Sequence, residues 1–90
     1  MIILQSSNFR KLVKKLHKNE KAALDDAVKQ VAKNPSLGEL KKGDLNAVRV
    51  YKFTMIKQLT LLAYTISFDE TEMVLLAFGS HENFYRDLKK

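Results

Sequence analysis

Residues 58–78, QLTLLAYTISFDETEMVLLAF, contain two apolar runs joined by a short polar segment. The runs 58–66 and 72–78 are apolar at successive positions, which is typical of strands that are at least partly covered on both faces. The SFDET segment between them has the composition of a hairpin turn. This stretch therefore predicts an antiparallel hairpin in the centre of a sheet.

A third strand is predicted immediately upstream, over residues 47–53, AVRVYKF. Side chains alternate between the two faces of a strand. One face then carries Val48, Val50 and Lys52, and the other carries Arg49, Tyr51 and Phe53. The preceding segment 33–45 contains the only proline and two of the three glycines, and it separates helical periodicity from strand periodicity. Three consecutive strands with short connections indicate an antiparallel meander.

The N-terminal third has helical periodicity after a short β-prone segment. Residues 2–5, IILQ, predict a strand, and Ser6, Ser7 and Asn8 are good helix N-caps. The next apolar residues recur at helical spacing, and a second helix follows, which Asn19 is expected to cap and which runs to about Ala32. The first stripe consists of Phe9, Leu12, Val13 and Leu16.

The order of these elements predicts the fold class. Separate runs of helices and strands indicate an α+β domain. We expect residues 1–90 to form one domain: an N-terminal strand and a helical hairpin packed on an antiparallel sheet of three to four strands, with a short C-terminal tail.

The composition restricts the chemistry. Sixteen Lys and Arg residues against ten Asp and Glu residues leave a net charge of +6, and there is no cysteine. His17 and His81 are far apart in the sequence and have no metal-ligand spacing, so we expect no metal or other cofactor. A basic surface favours a polyanion or an acidic protein, although charge that serves only solubility is an equal alternative. No membrane span or signal peptide is evident, which predicts a cytoplasmic protein without a membrane partner.

Cationic and aromatic side chains on and after the predicted strands are the remaining candidates for chemistry. Such residues suit metal-free RNA cleavage, in which a 2′-hydroxyl attacks the adjacent phosphorus and fixed cations stabilise the developing charge. Histidine titrates near neutral pH and a tyrosine stacks on bases. The alternatives are a solvated sheet face and a capping histidine; His17 is expected to be a surface residue. The six candidates are Arg49, Lys52, Lys57, His81, Tyr85 and Arg86. Of these, Lys52, Lys57, Arg49 and His81 are predicted to share one concave, positively charged patch.

Three segments in this order resemble the RelE/ParE superfamily of bacterial type II toxins. They are the helix opened by FRKLVKKL, the segment NPSLGELKKGDLNAVRVYKF, and LLAYTISFDETEMVLLAFGSH before the C-terminal aromatic residues. The ending LLAFGSHENFY is most similar to the YafQ-like branch.

The resemblance implies a ribosome-dependent mRNA endoribonuclease that a cognate antitoxin neutralises. It also implies contact with operator DNA only through the toxin–antitoxin complex. His81 matches the catalytic histidine of the branch, and Tyr85 matches the aromatic residue four positions later. Lys52 falls near a second histidine, Lys57 falls near an acidic position, and Ala77 falls near an arginine on the last strand of related toxins.

Two other functions remain open at this point. A ParE-like toxin would bind DNA gyrase and perform no nuclease chemistry, and the departures at Lys52 and Ala77 favour it somewhat. An inactivated homologue would only bind its antitoxin. For the ribonuclease, the expected catalytic residues are His81, Tyr85 and Lys52, and the expected RNA or phosphate ligands are Arg49, Lys57 and Arg86.

Overall fold

The computed structural model describes residues 1–41 and 47–80. Within these ranges the chain forms two α-helices, one short 3₁₀ turn at Pro35–Leu37, and five strands. The elements are β1 (Ile2–Gln5), α1 (Ser7–Val13), α2 (Lys18–Lys33), β2 (Glu39–Leu40), β3 (Arg49–Met55), β4 (Gln58–Ile66) and β5 (Glu72–Ser80).

The five strands form one mixed sheet in the order β1-β5-β4-β3-β2. The predicted meander is confirmed, because β3, β4 and β5 pair antiparallel in sequence order. The N-terminal strand pairs with an edge of this meander, where it runs parallel to β5. The sheet has one strand more than expected, because two residues of the Pro- and Gly-containing segment pair with β3 as β2. The α+β fold class is confirmed.

Both helices contribute to a core on one face of the sheet. Phe9 of α1 is 2% exposed, and its ring meets Phe78 edge-on at 5.3 Å between centroids. Leu24 and Val31 of α2 are buried in the same cluster. The helical hairpin therefore covers this face of the sheet.

None of the helices within the described ranges has the length and apolar character needed to cross a membrane.

The opposite face carries a second, smaller buried cluster. It consists of Val50, Leu61, Ala63 and Ala77. Leu61 alternates with Leu62, which belongs to the helix-side core, so β4 is buried on both faces. The continuous apolar sequence of β4 correctly predicted this two-sided burial.

A β-bulge at Leu76 interrupts the pairing of β5 with β4. The register shifts where Ala63 pairs with Ala77 and Tyr64 pairs with Leu75, which leaves Leu76 without an opposite residue. The carbonyl oxygen of Leu76 instead accepts the Ser6 hydroxyl at 2.9 Å. A bulge of this kind ties the loop between β1 and α1 to the sheet.

The first helix is capped by one of the expected residues, whereas the second helix begins earlier than expected. Ser6 caps α1, since its hydroxyl accepts the Phe9 N–H at 3.1 Å. The second helix begins at Lys18, not after Asn19, and His17 is its N-cap residue. The His17 N–H donates to Glu20 Oε1 at 2.9 Å, which satisfies the reciprocal half of a capping box. The expectation that Asn19 caps this helix is therefore wrong, and the exposed His17 has a local structural contact.

Candidate functional site

Lys52 lies on the sheet face opposite the two helices. It is exposed, and it pairs with Leu61 of β4, which in turn pairs with Gly79 of β5. Two strand spacings of about 4.8 Å put the Lys52 and Gly79 Cα atoms roughly 10 Å apart. Because Gly79 has no side chain, nothing projects from β5 at this position on the face that carries Lys52.

Lys57 lies at the tip of the hairpin that follows Lys52. The tip consists of Ile56 and Lys57, between the paired residues Met55 and Gln58. Both tip residues have positive φ angles, 45° and 71°, as a type I′ turn requires. Glycine and asparagine usually occupy these positions, and a β-branched residue with positive φ is strained. The turn places the exposed apolar side chain of Ile56 next to the exposed side chain of Lys57.

The far end of β5 lies at the same end of the sheet as this hairpin tip. Ser80 pairs with Thr60, and Thr60 pairs with Phe53. No ion pair among the described residues involves Lys52 or Lys57, whereas Lys21 pairs with Asp25 on α2 at 3.0 Å. The half of the sheet where β5 ends therefore carries two lysines whose charge no described carboxylate neutralises.

His81, Tyr85 and Arg86 lie outside the described residues. His81 follows Ser80 directly in the sequence. The roles expected for these three residues remain predictions. The place of the expected arginine on the last strand is occupied by Ala77, which is 5% exposed in the second core cluster.

Arg49 does not lie beside Lys52, which corrects the expectation of one patch holding both. The two residues are three positions apart in β3, so they project from opposite faces and lie roughly 10 Å apart along the strand. Arg49 pairs with Tyr64 on the helix side, and its Nη1 donates to the Gly38 carbonyl at 2.8 Å. The alternation in the sequence already separated these two side chains; their common charge did not justify grouping them.

Tyr64 is the buried polar residue that the sequence analysis missed. It is fully buried, and its hydroxyl accepts the Gly38 N–H at 2.9 Å and donates to the Pro35 carbonyl at 2.7 Å. Burial raises the pKa of this hydroxyl, while the Gly38 N–H and the Arg49 charge act in the opposite direction. A single tyrosine in an apolar strand gave no sequence signal for this role, because its partners are 26 and 29 residues away.

Solved structures with a similar fold include bacterial toxins and toxin–antitoxin complexes. The chain is similar to the RelBE2 toxin–antitoxin complex of Mycobacterium tuberculosis, with 18% identity, a TM-score of 0.75, and 89% of this chain and 96% of that chain covered. It is similar to the YoeB/ParE toxin of Agrobacterium tumefaciens, with 14% identity, a TM-score of 0.72, and 90% of this chain and 99% of that chain covered. It is also similar to the intact Escherichia coli RelBE toxin–antitoxin complex, with 15% identity, a TM-score of 0.68, and 88% of this chain and 94% of that chain covered.

At these identities the structural likeness establishes the fold alone. No protein with a curated description matches the sequence. A family model, described as the ParE-like toxin of type II bacterial toxin–antitoxin systems, matches residues 3–89. Because this match spans nearly the whole chain, the protein belongs to the ParE-like toxins of type II toxin–antitoxin systems, within the RelE/ParE superfamily.

Proposed function

We propose that this toxin is a ribosome-dependent mRNA endoribonuclease that acts in the cytoplasm. The observation that carries the proposal is the position of Lys52: exposed, on the face away from the helices, and two strands from Gly79, shortly before the chain continues into His81. A cation near the end of β5 suits a site completed by residues that follow this strand.

The reaction needs charge stabilisation and two proton transfers. The 2′-hydroxyl oxygen attacks the adjacent phosphorus, a 2′,3′-cyclic phosphate forms, and the bond to the 5′-oxygen breaks. In our assignment His81 acts as the base for the 2′-hydroxyl proton or as the acid for the leaving 5′-oxygen. Tyr85 supplies the other proton transfer or stacks on a base. Lys52 stabilises the negative charge on the phosphate oxygens, and Lys57 and Arg86 bind flanking phosphates.

Arg49 has a different place in this scheme. Its guanidinium already donates to Gly38 and projects from the helix side of the sheet. We therefore assign Arg49 to the support of the 3₁₀ turn and omit it from the phosphate ligands.

We also propose that a cognate antitoxin binds this toxin. The related RelBE structures are toxin–antitoxin complexes. The net charge of +6 favours an acidic antitoxin that covers cationic surface when it neutralises the toxin. Contact with operator DNA would occur only through that complex.

Primer extension on a message translated with the purified toxin tests the nuclease. We expect new 5′ ends within the translated region, only when ribosomes are present. Lys52→Ala should lower the cleavage rate about 10²-fold, as loss of one charge-stabilising donor does in other enzymes. Lys29→Ala is the matched control, since Lys29 is an exposed lysine on α2. Equal cleavage by both variants would contradict the role of Lys52.

The alternative function is inhibition of DNA gyrase, as expected of a ParE-like toxin without nuclease chemistry. Two features favour it: the lysine at position 52 in place of a histidine, and the buried Ala77 in place of an arginine. Filamentation with DNA-damage signalling and intact messages would identify the gyrase inhibitor. Translational arrest with cleaved messages would identify the ribonuclease, and the absence of arrest would identify an inactivated homologue that only binds antitoxin.

A further inference from the structure

A cleft of about 480 Å³ opens between the 3₁₀ turn and the β4–β5 turn, which consists of residues 67–71. It lies on the helix side of the sheet, because Leu40, Arg49 and Tyr64 pair across three strands and share that face. Ligand pockets have volumes of about 300–1,000 Å³, so the cleft is large enough for one small organic molecule. Its described lining includes Pro35, Leu40, Arg49, Ile66, Phe68 and Glu70.

This cleft is separate from the surface that carries Lys52 and Lys57. The nine residues of β4 run from Gln58, beside the hairpin tip, to Ile66 in the cleft. They span roughly 27 Å at about 3.4 Å per step. Lys52 also projects from the opposite face of the sheet. A mononucleotide-sized ligand in the cleft therefore contacts neither lysine, and its binding is independent of the proposed mRNA cleavage.

Phe68 presents an aromatic ring to the cleft from a well-fixed turn. Its side chain is fully exposed. The Ser67 N–H donates to the Glu72 carbonyl and the Glu70 N–H donates to the Ser67 carbonyl, each at 2.9 Å. The Ser67 hydroxyl also accepts the Glu72 N–H at 3.0 Å. A single exposed Phe is ordinary, but this ring lines a cleft that also holds a cation. Because its backbone is already ordered, little entropy is lost when a planar ligand stacks on it.

Arg49 supplies the cation. A guanidinium has five N–H donors, and within the described ranges this one makes a single hydrogen bond, from Nη1 to the Gly38 carbonyl at 2.8 Å. That bond holds the group beside the 3₁₀ turn and leaves further donors for a ligand. No carboxylate of the described residues forms an ion pair with Arg49. A planar guanidinium in this state is suited to bidentate contact with phosphate oxygens.

Glu70 adds an exposed carboxylate to the lining. Its φ angle is 59°, and that of Ala47, which also lines the cleft, is 69°. Such left-handed conformations of non-glycine residues cost free energy and cluster at ligand-binding sites. A carboxylate accepts two parallel hydrogen bonds. Guanine offers two adjacent donors on its Watson–Crick edge, N1–H and the 2-amino group, whereas the other three RNA bases place an acceptor beside their donor. The carboxylate also disfavours an acidic peptide in this cleft.

We propose that this cleft binds a guanosine nucleotide. The base stacks on Phe68, the Glu70 carboxylate accepts from N1–H and the 2-amino group, and Arg49 binds a phosphate. A free nucleotide and a guanosine within single-stranded RNA present the same three groups, so either source fits the cleft. The site is independent of the nuclease assignment, because its occupancy is measured without ribosomes.

Tryptophan fluorescence of the purified full-length toxin tests the site. The chain contains no tryptophan, so Phe68→Trp places a single reporter in the ring that should stack. Because Phe68 is fully exposed, the larger ring leaves the fold undisturbed. We expect GDP to quench this fluorescence to saturation, and ADP to require a concentration about tenfold higher. Leu59→Trp is the control: Leu59 is exposed near the other end of β4, and its reporter should show no saturable change with GDP.

Calorimetric titration with GDP tests the individual contacts without a fluorescent reporter. Phe68→Ala should weaken GDP binding about tenfold, whereas Phe68→Tyr should retain it, because base stacking requires only an aromatic ring. Glu70→Gln should lower the preference for GDP over ADP about tenfold, since it replaces one acceptor oxygen by a donor. Glu72→Gln removes another exposed carboxylate two residues away and should leave this preference unchanged.

A short oligouridine RNA with one central guanosine, compared with an all-uridine RNA of the same length, distinguishes the two sources. Quenching of the Phe68→Trp reporter by GDP alone supports a free nucleotide, and quenching by the guanosine-containing RNA alone supports a guanosine within RNA. Absence of saturable quenching by either probe would overturn the proposal. Equal affinities for GDP and ADP, equal affinities for the two RNAs, or an equal response of Leu59→Trp would also overturn it. Absence of mRNA cleavage with the expected binding results would reject only the nuclease.

Discussion

The contact between Tyr64 and Gly38 provides the sharpest test of the structure. Gly38 has a φ angle of −73°, which any residue adopts, so backbone freedom does not explain the glycine. A Cβ atom there would meet the Tyr64 ring at 2.8 Å from Cε1 and 2.9 Å from Cζ, and it would come closer still to the hydroxyl oxygen. Gly38 is therefore required by the close approach of the tyrosine.

Both partners have a predictable cost of substitution. Tyr64→Phe leaves the buried Gly38 N–H without an acceptor, which costs about 1–3 kcal/mol. Gly38→Ala forces the loop away from the ring, which costs about 1–3 kcal/mol as overpacking does elsewhere. Since each change disrupts the same contact, the double variant should lose less than the sum by about 1–2 kcal/mol.

Urea unfolding followed by circular dichroism measures these free energies. Tyr51→Phe is the control: Tyr51 is half-buried and stacks on Phe53 at 6.3 Å between centroids, so its hydroxyl should matter by less than about 0.5 kcal/mol. If the two losses at Tyr64 and Gly38 simply add, the close contact does not exist in solution.

The same hydroxyl makes a prediction about pH. Its pKa is raised in the folded state above the ordinary value of 10.0, chiefly by burial. The folded protein then retains a proton that the unfolded chain has lost, so stability falls as the pH rises above about 10. The difference in stability between wild type and Tyr64→Phe should shrink over this range, and a constant difference would contradict the burial of the hydroxyl.

Three further predictions concern the two turns and the core. Replacing Ile56 and Lys57 by Asn-Gly should stabilise the β3–β4 hairpin by about 1–2 kcal/mol in urea unfolding, since it removes the strain at two positive φ angles. Hydrogen bonds from Thr71 and Ser67 lower the pKa of Asp69, so wild type should lose stability relative to Asp69→Ala as the pH falls below the ordinary value of 3.8, and parallel pH curves would argue against these bonds. Phe9→Ala should cost about 3–5 kcal/mol by thermal unfolding, because it empties a buried site against Phe78; a loss below about 1 kcal/mol would show that α1 does not pack there.

Much of the fold was predictable because its signals are local. The apolar runs of β4 and β5, the alternation of β3 and the stripe of α1 each depend on neighbours within a few residues, where the periods of 2 and 3.6 decide which face is buried. The positions of Lys52 and Lys57 near the end of β5 follow from the same pattern together with the short hairpin. The helix start at His17 was mispredicted because Asn19 is the better capping residue by type, whereas the reciprocal contact with Glu20 places the cap two residues earlier.

The remaining features depend on contacts that are distant in sequence. The parallel pairing of β1 with β5 joins residues 70 positions apart. The bulged residue Leu76 accepts a hydrogen bond from Ser6, which directly follows β1 and is also 70 positions away. The Tyr64 contact joins β4 to the 3₁₀ turn, and it is this turn that engages Arg49 on the helix side. The sequence by itself determined which side chains share a strand face, since alternation is a property of the local backbone. Only the tertiary structure decided which strand β1 pairs with and which cation is used internally, because both depend on the closure of long loops.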